Sequence, residues 1–203
     1  MLNSTINQDF FLSDAISLAK NLLGKILVRT INGQQIKVRI VETEAYMGAN
    51  DRASHSYQFR KTSRTLPLYQ IGGTTYIYLI YGMYYCFNIV ANAQENPQAV
   101  LVRAGEIISG QKIIEDYLKP TKRKQSLAQL ASGPGKLAMV LKIDRSLNQI
   151  SLLNNQELTL IADDFTVNEE DIIAAKRINI DYAKEDKEHL WRFYLKNHLA
   201  VSK

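Results

Sequence analysis

Asn32-Gly33 stands between two runs of alternating apolar residues, "KILVRTI" and "QQIKVRIVETEAY". A type I′ hairpin turn needs positive φ at both central residues, which Asn-Gly adopts readily, so the dipeptide predicts a β-hairpin whose second strand runs toward residue 46. A two-stranded hairpin is barely stable alone and must be covered by further elements. The chain supplies them. "TTYIYLIYG", "YYCFNIVAN" and "QAVLVRAGE" read as three more strands with short turns, an antiparallel core onto which the hairpin packs.

Helices are expected around that sheet. Ser13 reads as the N-cap of "DAISLAKNLLG", where Ile16, Ala19, Leu22 and Leu23 form a stripe and Gly24 suits a left-handed C-terminal position. "EIISGQKIIEDYL" is expected to be helical, "KPTKRKQS" a basic linker, and the Gly-Pro-Gly of "LAQLASGPGKLAMVLKI" a break before another helix, its amides open to an anion. In the tail, "ELTLIAD" predicts a strand, "DIIAAKRINI" a turn or short helix running into a strand, and "LWRFYL" a final strand. The 203 residues fit one domain, 1–203.

Charge and cysteine content narrow the setting. Twenty-five Lys and Arg against twenty Asp and Glu leave a net charge of +5, which favours a polyanionic partner but is shared by many plain enzymes. The single cysteine, Cys86, excludes an internal disulfide or a thiolate zinc site, reads as a small buried hydrophobe, and points to a reducing compartment. Three histidines without H-x-x-x-H spacing make a metal site unexpected. The N-terminus lacks a signal-peptide layout, and no run approaches the roughly 20 apolar residues that cross a bilayer, so a cytosolic protein without membrane attachment is expected.

Strand alternation puts Glu42, Glu44 and Tyr46 on one face. Two carboxylates at that spacing lie roughly 7 Å apart, near the lower end of the inverting-glycosidase range, so cleavage at a sugar carbon is one candidate chemistry. Glu44 taken alone also reads as a solvated or ion-paired strand-end residue. Arg103, between Val102 and Ala104, needs a carboxylate partner or an anionic ligand, and Glu44 would serve. The polar, basic stretch 47–73 is too long for a plain connection and is expected to be a functional loop; His55 lies in it, by itself a solvated or capping histidine. Tyr76 and Tyr78 taken singly read as core, and Asn88 as a hydrogen-bonded polar group in the core. Tyr81 precedes Gly82 at a predicted turn, where its ring would be exposed like a base-stacking or duplex-wedging side chain. The basic runs 60–64 and 119–124 are solvated linkers or phosphate contacts. Three readings stay open at this point: an enzyme acting on nucleic acid, a non-catalytic nucleic-acid binding module, and a carbohydrate glycosidase using both carboxylates.

The blocks "LAKNLLGKILV", "VETEAYMGANDRASHS", "YIYLIYGMYYCFNIV", "AVLVRAGEI", "SGPGKLAMVLKI" and "KRINI" followed by "WRFYL" together resemble the alkyladenine (3-methyladenine) DNA glycosylase family over nearly the whole chain. The resemblance implies an α+β fold with a curved, open-barrel-like antiparallel sheet surrounded by helices. It implies a monofunctional enzyme of base excision repair that extrudes alkylated or deaminated purines from double-stranded DNA and hydrolyses the N-glycosidic bond, as a monomer without cofactor or obligate protein partner. In that family's pattern Glu44 corresponds to the base that activates water and Arg103 to the arginine that positions it. Tyr46 corresponds to one wall of the base pocket, and His55 and Tyr78 to the other. Tyr81 corresponds to the residue that fills the gap in the duplex, Asn88 to the pocket asparagine that disfavours guanine, and Ile178 to a residue whose main-chain carbonyl contacts the water. Glu42 is then expected to be structural, and no lysine nucleophile is required. The chain departs from the pattern at Arg64-Thr65, where Arg-Asn is usual, at Gly72-Gly73, where Pro-Gly is common, and at Asn179, where glycine is frequent.

Overall fold

The hairpin forms at Asn32-Gly33, whose φ angles are 49° and 77°. It joins β2 (Ile26–Ile31) to β3 (Gln34–Tyr46) in the computed structural model, which describes residues 4–118, 126–153 and 155–202. The other strands are β1 (Ser4–Thr5), β4 (Thr75–Ile80), β5 (Tyr84–Ala91), β6 (Gln98–Ser109), β7 (Leu158–Ala162), β8 (Ile172–Ala175) and β9 (Arg192–Leu195). The helices are α1 (Ala15–Leu22), α2 (Gln111–Tyr117), α3 (Leu127–Leu130) and α4 (Pro134–Val140).

The nine strands form one antiparallel sheet in the order β1-β7-β2-β3-β6-β5-β4, with β9 and β8 branching from β3. The fork follows from the length of β3. One edge pairs with β6 over residues 37–46, while the other pairs with β2 up to Arg39 and with β9 over Glu42–Glu44. The path ends at β1 and β4 without closing. The α+β class and open sheet agree with the sequence reading. Beneath the sheet α1 covers β3 and α4 covers β5, burying Leu18, Leu22, Ile40, Phe87, Ile89, Leu137 and Leu141 completely.

Three local expectations change. The N-cap of α1 is Asp14, not Ser13: its carboxylate accepts from the amides of Ile16 (2.9 Å) and Ser17 (3.1 Å), because it is Asp14 that directly precedes the first helical residue. Residues 106–109 continue β6, pairing Glu106 with Arg39 and Ile107 with Val38; the helix starts only after Gly110 at φ 90°. Cross-strand hydrogen bonding here overrides the local helical pattern. In the tail, Ile172–Ala175 is the strand and residues 176–180 are irregular, the reverse of the expected order, because β9 offers 172–175 a partner. The basic linker lies, apart from Ser126, outside the described residues.

The stretch 47–73 is far from a free loop. Three short 3-10 turns organise it, and Asp51, Ser54, Ser56 and Thr65 are buried within it. Ser56 Oγ donates to the carbonyl of Pro97 at 2.9 Å and ties the loop to the start of β6.

Candidate active site

Two opposed irregularities in the β3–β6 pairing aim the charged groups. Between the pairs Thr43/Val102 and Glu42/Ala104, β6 carries one extra residue, Arg103; between Glu42/Ala104 and Ile40/Gly105, β3 carries Val41 in turn. Such bulges bend strands and redirect side chains, and these two cancel so that register resumes on both sides. Arg103 therefore reaches across to the face of Glu42 and Glu44. Its Nε donates to Glu42 Oε1 at 3.0 Å, and its Nη1 lies 3.2 Å from Glu44 Oε1. Two carboxylates offset the cost of burying the guanidinium.

Glu44 is fully buried, yet it lines a cleft of about 360 Å³. Its Oε2 accepts from the Tyr46 hydroxyl at 2.9 Å and its Oε1 from the backbone N–H of Ile178 at 2.8 Å. Ile178 thus meets Glu44 through its amide, whereas the resemblance implies a role for its carbonyl. Tyr46, His55, Tyr78, Tyr81, Arg103 and Ile178 line the same cleft. A recess of about 50 Å³ adjoins it, bounded by Tyr46, His55, Tyr78 and Asn88. Seven of the eight candidate site residues therefore line the cleft, and the eighth, Asn88, lines the adjoining recess.

The aromatic walls are held by specific contacts. His55 Nδ1 is hydrogen-bonded to the Tyr76 hydroxyl at 2.8 Å, and its ring meets that of Tyr78 edge-on, 4.7 Å between centroids. Burial, with Arg64 and Arg60 adding like charge, lowers the His55 pKa to about 4, so the imidazole is neutral at physiological pH. Burial pushes the Tyr46 hydroxyl well above its ordinary range, the Glu44 carboxylate adding to the effect, so it stays a donor. Asn88 donates to the carbonyl of Tyr76 at 2.9 Å. Tyr81 sits on the β4–β5 turn at φ 52°, with 74% of its surface exposed at the cleft.

A model of the family described as "Methylpurine-DNA glycosylase (MPG)" matches residues 9–199. This chain belongs to the methylpurine-DNA glycosylase family. It is similar to three bacterial proteins named "Putative 3-methyladenine DNA glycosylase". The one from Natranaerobius thermophilus is 46% identical over 97% of this chain and 98% of that protein. The one from Borrelia garinii subsp. bavariensis is 48% identical over 96% and 97%, and the one from Clostridium perfringens strain SM101 is 43% identical over 98% of each. The family is one of DNA glycosylases, hydrolases of N-glycosyl bonds.

Within this methylpurine-DNA glycosylase family member, Glu42 is fully occupied. Besides Arg103 it accepts from Arg192 Nη1 (3.0 Å) and from the amide (2.7 Å) and hydroxyl (2.9 Å) of Ser202. Unlike Glu44, Glu42 lines neither the cleft nor the recess, so it is not placed to act as the partner acid of a two-carboxylate glycosidase.

Sequence reasoning missed a second buried ion pair. Arg177 forks onto Asp51, Nη1 to Oδ2 at 2.6 Å and Nη2 to Oδ1 at 2.9 Å, and donates to the carbonyl of Ala45 at 3.0 Å. Its guanidinium lies between two rings, 4.8 Å from the centroid of Tyr46 and 4.9 Å from that of Trp191, and so backs the pocket wall. Tyr182, which borders the cleft and the recess, was missed as well. Asp51, Arg177 and Tyr182 lie in segments without periodicity, and no local pattern marks them. No helix among the described residues is long and apolar enough to cross a membrane.

Proposed function

We propose that this protein is a monofunctional DNA glycosylase that removes alkylated or deaminated purines from double-stranded DNA. One observation carries the reading: a fully buried glutamate, Glu44, at a cleft walled by Tyr46, His55 and Tyr78, with an exposed aromatic residue at its edge.

A base inside a duplex is out of reach, so the nucleotide must rotate out, at a cost of a few kcal/mol that damage or mispairing reduces. Tyr81 fills the space it leaves. In the cavity the purine stacks between Tyr46 and the His55/Tyr78 wall, where electron-rich faces favour a cationic methylated base. A neutral His55 adds no repulsion to that charge. Glu44 removes a proton from a water held with the help of Arg103, and the water attacks the sugar carbon as the base departs. The positive charge on a methylated base makes it a better leaving group. Asn88, at the recess, discriminates against the amino group of normal guanine. The chemistry uses no lysine nucleophile, so the product strand is abasic and unbroken.

The test is release of free 3-methyladenine from methylated duplex DNA. The parent protein is expected to release it and leave the strand intact, while Glu44→Gln loses at least about 100-fold in rate and still binds damaged duplex. Undiminished release by Glu44→Gln would overturn the role of that carboxylate. Binding by the parent without any release would favour a non-catalytic damage-binding protein.

A further inference from the structure

Phe59 is 66% exposed and has φ of 56°, directly after Gln58 at 54°. A bulky side chain in the left-handed region is a true outlier, and such strain persists only where the surroundings impose it. They do here. The segment is pinned by the Thr65 hydroxyl donating to the carbonyl of Arg60 at 3.0 Å, by the ion pair of Lys61 with Glu95 at 2.8 Å, and by the bond from Ser56 to Pro97. Neither burial nor backbone preference accounts for an aromatic residue at this position.

The molecule repeats the same signature once. Of the eleven non-glycine residues with positive φ among the described residues, two are aromatic, Phe59 and Tyr81, and both are mostly exposed. Tyr81 borders the catalytic cleft. Phe59 lies between Gln58 and Arg60, two residues lining a second cleft of about 760 Å³ that Arg60 and Arg64 make basic. The two clefts share His55, Arg64 and Tyr182, so they form one continuous surface.

We propose that Phe59 is a second DNA-contacting ring, pre-set by its strained backbone to stack on a nucleotide flanking the extruded one while Arg60 and Arg64 neutralise the phosphates of that strand. The inference rests on the reading of the protein as a DNA glycosylase. Basic residues beside an exposed ring are the combination that holds a nucleic-acid strand with its bases unpaired or splayed.

Binding is measured by fluorescence anisotropy on a duplex carrying one tetrahydrofuran abasic analogue, with Phe59→Gly, Phe59→Leu and Phe59→Tyr each compared with the parent. Glycine removes the ring and relieves the backbone, and leucine keeps an apolar side chain without a ring, so the pair separates stacking from folding. Both are expected to weaken binding about tenfold, and Phe59→Tyr to retain it. The salt dependence should be unchanged in all three, because no charge is removed. Parent-like binding by Phe59→Gly and Phe59→Leu overturns the proposal. If the parent protein releases methylated bases and these variants bind as it does, only the role of Phe59 fails; if the parent neither binds nor releases, the glycosylase reading itself fails.

Discussion

Arg103 is held by Glu42 and Glu44 at once, through Nε at 3.0 Å and Nη1 at 3.2 Å. The two carboxylates do different work. Glu42 faces inward to Arg192 and Ser202 and fixes the guanidinium, whereas Glu44 borders the open cleft. The orientation of Arg103 at the cleft is therefore set by a neighbouring carboxylate on the same face of the sheet.

Ser202 should thus affect turnover although it does not itself line the cleft, because its hydroxyl donates to Glu42 and accepts from Arg103 Nη2 at 3.3 Å. Ser202→Ala removes the hydroxyl's hydrogen bonds with Glu42 and Arg103 and is expected to cost about 1–2 kcal/mol of stability. Glu42→Gln removes the charge that balances Arg103 and Arg192 and should cost about 3 kcal/mol. Urea unfolding reads these losses. Single-turnover base release should slow in the same order with little change in duplex affinity, and equal rates in parent and Glu42→Gln would show that Glu42 does not position Arg103.

Breaking the second ion pair tests the backing of the pocket wall. Arg177→Met leaves Asp51 buried without its partner and is expected to destabilise the fold by about 3–5 kcal/mol. Adding Asp51→Asn should recover part of that loss, because the remaining amide carries no charge. A double-mutant cycle by chemical denaturation measures the coupling, and purely additive effects would contradict it.

The depressed His55 pKa has a pH signature. Protonation is favoured in the unfolded chain below about 6.5 but resisted in the folded one down to about 4, so the contribution is fully present above pH 6.5 and is lost as pH falls from 6.5 to 4. The loss should be on the order of 2 kcal/mol for this partly exposed ring. Unfolding midpoints of the parent and of His55→Gln between pH 7.5 and pH 4 check it, at roughly these limits: the parent curve should fall more steeply over that interval.

Gly72 tests a departure from the family pattern. A Cβ here would sit 2.3 Å from the carbonyl oxygen of Phe11, and the Gly72 amide donates to Asn92 at 2.9 Å. Gly72→Pro, which restores the common Pro-Gly, should therefore destabilise this chain by about 3 kcal/mol or more, measured as a fall in Tm. Asn179 is the opposite case: its φ of 60° is a left-handed conformation that asparagine tolerates, so the change from glycine keeps the backbone path.

Much of the sheet could be read directly. Asn32-Gly33 needs no distant partner to turn, and the alternation of β3 to β6 declares which residues face the core. The errors fell where distant chain decided. Residues 106–109 look helical until β3 offers them hydrogen bonds, and 172–175 become a strand only because β9 lies alongside. At the site, Glu44 and Tyr46 announced themselves by sharing a strand face, and Tyr81 by preceding a turn glycine. Asp51 and Arg177, 126 positions apart, gave no sign, because an ion pair between two irregular segments leaves no period in either.

The sequence by itself determined the hairpin, the succession of strands and the strand face that Glu42, Glu44 and Tyr46 share, since local backbone preference and alternation act over a few residues. Tertiary structure decided the rest. The paired bulges that turn Arg103 toward two carboxylates, the Ser202 contact that spends Glu42 on structure, and the pinning of Phe59 in a strained conformation all depend on contacts between segments far apart in the chain, and only the folded chain brings those segments together.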